Sequence, residues 1–60
     1  MTEARFDYAG PYREAMSAVA AVDDMFATGE ICESERPLIE PRKVRRNGKP
    51  VTRWYITLPM

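Results

Sequence analysis

The sequence predicts an α+β domain, with one amphipathic helix packed on a small antiparallel sheet whose main part is a C-terminal β-hairpin. Three observations carry this prediction. Asn47-Gly48 sits between two stretches rich in strand formers, and both residues tolerate the positive φ angles of a two-residue type I′ turn. Apolar residues recur at helical spacing from Tyr12 to Phe26, with Gly29 following as a stop signal. The 60 residues suffice for one small domain and no more.

Residues 1–10 carry Phe6 and Tyr8 at alternate positions, the pattern of a short strand or of an arm lying on the core. Gly10-Pro11 then reads as a helix start, because glycine is acceptable at the N-cap and proline is preorganised for the first helical position. The spacing predicts a helix over residues 11–28, with Tyr12, Met16, Val19, Val22 and Phe26 recurring and Ala15 and Ala18 beside them. Projected at about 100° per residue, its apolar arc runs from Met25 and Ala18 through Val22, Ala15 and Phe26 to Tyr12 and Met16. A two-stranded ribbon is too narrow to cover that arc. Either the N-terminal arm and the Ile31 to Ile39 segment complete the cover, or a second copy does. The expected arrangement is a homodimer through Ala18, Val22 and Met25, leaving Tyr12 and Met16 to pack on Trp54 and Ile56.

Asp23 and Asp24 lie near the helix C-terminus, where the dipole disfavours negative charge, so solvent or an arginine is expected to compensate them. Residues 29–41 read as a connector or edge strand, since Pro37 and Pro41 discourage helix and favour extended backbone. Residues 42–58 form the hairpin. Its turn pairs Arg46 with Lys49, Arg45 with Pro50, Val44 with Val51, Lys43 with Thr52 and Arg42 with Arg53. Pro50 then falls on a pair that exchanges no hydrogen bonds, so its missing N–H breaks nothing. Trp54, Ile56 and Leu58 line one face of the base as core, while Tyr55 shares the other face with Arg53 and is expected to be exposed.

The charge distribution points to function. Residues 1–40 hold all nine acids and only Arg5, Arg13 and Arg36, whereas residues 41–60 hold six bases and no acid, giving halves of −6 and +6 in a chain of zero net charge. Such asymmetry suggests an anion-binding arm on a neutral body, or acidic and basic surfaces that meet within or between chains. There is no histidine, which removes the base of a Ser-His or Cys-His pair. The glycines are isolated and make no phosphate loop. The lone Cys32, set among Glu30, Glu33 and Glu35, reads as a small inert side chain, and no metal or other cofactor is expected. With no signal pattern and no long apolar run, the chain is expected to be cytoplasmic and to make no membrane contact.

These features predict a small non-enzymatic regulatory or accessory protein, of the kind compact phage or plasmid genomes encode, binding nucleic acid through Arg42, Lys43, Arg45, Arg46, Lys49 and Arg53. Lys and Arg neutralise phosphates, a two-stranded ribbon fits a DNA major groove, and Tyr55 offers a stacking surface. The alternative is a protein-binding inhibitor or adaptor whose basic hairpin docks on an acidic host protein.

Overall fold

The turn at Asn47-Gly48 sets the frame of the sheet, and both residues adopt the positive φ angles expected of them, 54° and 78°. In the computed structural model, which describes residues 4–60, the chain forms β1 (Arg5–Tyr12), α1 (Ala15–Thr28), a 3-10 turn (Glu33–Glu35), β2 (Leu38–Arg46) and β3 (Lys49–Pro59). Residues 1–3 of the expected N-terminal arm lie outside the described residues. The strands are ordered β1-β3-β2, and each neighbouring pair is antiparallel. The outer strands β1 and β2 therefore run parallel, joined by the helix.

The register of β2 on β3 follows the turn. Arg46 pairs with Lys49, Arg45 with Pro50 and Arg42 with Arg53, and the ladder continues down to Leu38 opposite Thr57. Because the pair next to a two-residue turn exchanges hydrogen bonds, alternation leaves both Arg45–Pro50 and Pro41–Trp54 as pairs that do not. Both prolines thus keep the ladder intact. A β-branched side chain fits poorly at φ 78°, so Gly48→Val is expected to lower stability by about 1–2 kcal/mol. A thermal melt followed by circular dichroism checks this, and an unchanged midpoint would mean that the turn conformation does not set the register.

Period-two alternation gives the sheet two different faces. Trp54, Ile56 and Leu58 of β3 share one face with Ile39 of β2 and with Phe6, Ala9 and Tyr12 of β1. The helix covers this face, and Ala18, Ile31, Ile56 and Leu58 are the buried apolar residues. Burying Ile56 completely contributes roughly 1.5–3 kcal/mol. Tyr8 donates a hydrogen bond to Glu30 at 3.0 Å, tying the end of the helix to β1. That bond holds the tyrosine pKa above its ordinary value.

The helix begins later than its sequence pattern predicts, at Ala15 and not at residue 11. Gly10 and Pro11 belong to β1, and Tyr12 pairs with Trp54 across the sheet. The local signal for a helix start lost to strand pairing, because extending β1 places Tyr12 opposite Trp54 on the covered face. The consequence is a bulged strand, with register shifts between Asp7 and Ala9 and again between Ala9 and Tyr12. At the other end, Gly29 donates to Phe26 O at 3.2 Å and Glu30 to Met25 O at 2.9 Å, the paired bonds of a Schellman motif.

Of the expected dimer surface, the chain itself takes up one residue. Ala18 is fully buried within the single chain, while Val22 and Met25 are half-buried on the same side of the helix. Met16, expected to pack on Trp54 and Ile56, is instead 81% exposed, and Val19 is exposed beside it. The apolar arc is satisfied from its Ala18 side because β1 and Ile31 widen the core beyond the hairpin. Asp23 and Asp24 are exposed and, among the described residues, form no ion pair.

The opposite face of the sheet is open and polar. Thr57, fully buried, accepts a hydrogen bond from Arg5 Nε at 3.0 Å and donates one to Glu40 Oε2 at 2.6 Å. Arg5 also donates to the Thr57 carbonyl at 2.9 Å and to the carbonyl of Arg36. Arg42 bridges Asp7 at 3.1 Å and Glu40 at 3.7 Å. Acidic and basic parts of the sequence therefore meet within one chain.

The Thr57 hydrogen bond, helped by Arg42 and Arg5, holds the Glu40 pKa below the ordinary glutamate value. A carboxyl whose pKa is lower folded than unfolded adds stability above its unfolded pKa, and that stability is lost as pH falls through the folded pKa. The melting temperature should therefore fall on acidification across that window. Thr57→Val should lower stability at neutral pH by about 1–2 kcal/mol and flatten this part of the pH profile. Melting curves of both proteins between neutral pH and pH 3 check it, and parallel profiles would show that Glu40 does not carry the acid sensitivity.

Candidate nucleic-acid interface

β1 pairs with β3 only as far as Trp54, so the turn end of the hairpin extends beyond the three-stranded body as a two-stranded ribbon. Alternation distributes its charges over both faces. Lys43 and Arg45 share the helix-side face with Thr52 and Pro50, whereas Arg46, Lys49 and Arg53 share the open face with Val44 and Val51. Lys43, Arg45, Arg46 and Lys49 are all exposed. Among the described residues, none of these four side chains forms an ion pair or a side-chain hydrogen bond.

The remaining basic residues of the hairpin are placed differently. Arg42 is held by Asp7 and Glu40 and serves the sheet more than the ribbon. Arg53 is half-buried and donates to the Thr52 carbonyl at 3.0 Å, leaving most of its donors uncommitted. Tyr55, expected to be exposed, is half-buried because β1 crosses it. A methyl group placed on Gly10 would lie 2.7 Å from Tyr55 Cδ1. Its ring offers only part of a stacking surface.

Part of the charge separation seen along the sequence is also a separation in space. Glu33 and Glu35 lie in the turn that precedes β2, and Arg46 closes β2 at the ribbon end. At ~3.3 Å per residue these ends of the strand are roughly 26 Å apart. The overall dimensions are 38 × 29 × 12 Å, so the molecule is a thin plate with a basic tip.

One cation that the charge run did not single out joins the interface. Arg13, in the bend between β1 and α1, lines a cleft of about 420 Å³ together with Pro11, Arg46 and Arg53. Its membership depends on β1 ending beside Trp54, which is a tertiary fact with no local sequence signature. Among the described residues, no cluster of Cys, Asp and Glu is arranged to hold a metal ion, and no helix is long and apolar enough to cross a membrane.

The arrangement can neutralise a polyanion at several points from a narrow, protruding ribbon whose residues 42–53 include no carboxylate. No known protein family matches the chain, and no curated protein or solved structure does so.

Proposed function

We propose that this chain is a small, non-enzymatic accessory or regulatory protein that binds nucleic acid through the projecting hairpin. The observation that carries the reading is the set of four exposed, uncompensated cations, Lys43, Arg45, Arg46 and Lys49, on the free end of a two-stranded ribbon. Edge strands do carry lysine to prevent aggregation, but a purely protective role does not need basic residues on both faces of the ribbon. Phosphate neutralisation makes direct use of them. A ribbon of this width fits the major groove of duplex DNA, with side chains on either face reaching the two flanking backbones.

Titration against duplex and single-stranded DNA at several salt concentrations tests the reading. Four phosphate contacts should give a slope of log K against log salt of about −3.6 on a duplex, and a shallower one on a single strand. Undetectable binding at low salt would remove nucleic acid as the ligand.

A second reading, docking on an acidic protein, is favoured by one observation: Met16 and Val19 expose an apolar strip on the outer side of the helix. Poly-glutamate bound as tightly as DNA at the same salt would favour that reading over the first.

A further inference from the structure

Three arginines from separate parts of the sequence line one cleft that runs from the end of β1 towards the tip of the hairpin. Arg46 and Arg53 come from the two strands of the ribbon and point to its open face, while Arg13 arrives from the bend after β1. With Pro11 they line a cleft of about 420 Å³, within the ~300–1,000 Å³ range of small-ligand sites, and among the described residues no carboxylate lines it. Among the described residues, Arg13 and Arg46 have no side-chain partner. Guanidinium groups gathered around one cavity repel each other until an anion enters. Their planar donor forks match the oxygens of a phosphate.

The adjoining space supports the same ligand chemistry. A second cavity of about 700 Å³ shares Pro11, Arg13 and Arg53 and extends to Tyr12, Glu14 and Ser17 at the start of the helix. Glu14 occupies the N-cap position without making a side-chain cap, so the first N–H groups of the helix keep their positive field. Glu14 adds one carboxylate to this lining, which leaves the Arg13–Arg46–Arg53 cleft as the more positive of the two.

We propose that Arg13, Arg46 and Arg53 form a phosphate-binding cleft that seats one backbone phosphate of the bound nucleic acid where the ribbon leaves the body. This deepens the nucleic-acid reading and rests on it for the source of the phosphate. The free tip provides charge without fixing direction. A phosphate held in this cleft fixes where the strand enters and which face of the sheet it crosses.

The test uses the intact protein and two measurements. In salt titrations with a DNA duplex, Arg13→Gln should weaken binding several-fold and make the slope shallower by at most about 0.9, because Arg46 and Arg53 remain on the same phosphate, although Arg13 lies outside the ribbon. Arg13→Lys should restore the slope, because the charge returns, while recovering only part of the affinity, because the fork does not. Separately, the arginine Nε–H resonances are followed by NMR as inorganic phosphate is added at constant ionic strength. Selective shifts at Arg13, Arg46 and Arg53, with those of Arg46 and Arg53 weakened in Arg13→Gln, support the cleft. If DNA binds and Arg13→Gln changes neither slope nor affinity, the cleft is overturned and the hairpin reading stands. If DNA does not bind but phosphate shifts these three resonances, the cleft stands with a free phosphate compound as its ligand. Shifts no larger than those from added chloride overturn it.

Discussion

Gly10→Ala is expected to lower the melting temperature by about 15 °C or more, and in a domain this small that is close to complete loss of folding at physiological temperature. Two effects add at this position. The backbone has φ 130°, which side-chain-bearing residues rarely adopt, and a new Cβ would lie 2.7 Å from Tyr55 Cδ1 and 3.0 Å from the Trp54 carbonyl oxygen. The carbonyl belongs to the central strand and has little room to retreat. Strain of this kind contributes about 1–3 kcal/mol, and overpacking a similar amount, against a total stability of roughly 3–9 kcal/mol for a chain this length. Circular dichroism melts decide it. A midpoint within a few degrees of the parent would mean that β1 can lift from Tyr55 without loss, and that the sheet is in effect two-stranded.

Replacing Lys43, Arg45, Arg46 and Lys49 together by alanine is expected to weaken DNA binding by about three orders of magnitude at 0.1 M salt, since four counterion-releasing contacts account for a slope of about −3.6. The fold should survive, because exposed charges contribute little to stability. Stability should even rise slightly. Arg46 and Lys49 are directly opposed across the ladder, and like charges in that position destabilise a pair by roughly 0.2–1 kcal/mol. A higher midpoint combined with lost binding would identify the repulsion as the counterpart of a functional charge cluster. A large fall in midpoint would instead show that these side chains hold the ribbon together.

What could be read in advance was whatever local chemistry decides alone. The turn depends on two adjacent residues, and the register from Arg46–Lys49 to Arg42–Arg53 follows from it by counting. The helix end at Gly29 was legible for the same reason. Gly10-Pro11 misled because the same dipeptide suits a helix start and a strand bulge, and only the position of Trp54, on a strand 43 residues after Pro11, separates them. Arg42 looked like its basic neighbours, yet Asp7 from the opposite edge strand claims it. Arg13 looked like an isolated charge and joins the arginine cleft only through the fold. The side of the helix that faces the sheet was misjudged with the helix start, since Tyr12 was counted as helical and pulled the covered arc towards Met16.

The proline at position 41 also governs how this molecule behaves in company. β2 is an outer strand, and its residues that do not bond to β3 turn their backbone groups outward to solvent. At Pro41 that outward position has no N–H to offer, so a strand from another molecule would find the row of donors broken midway between Ile39 and Lys43. Beyond the break, Lys43 and Arg45 present like charge to any copy approaching in register. On the other side of the sheet, the bulges and Pro11 make β1 an equally poor template. Fibrillar growth by edge pairing is thereby obstructed at both margins, and concentrated solutions should stay clear where a flat, unbroken three-stranded sheet of this size would deposit.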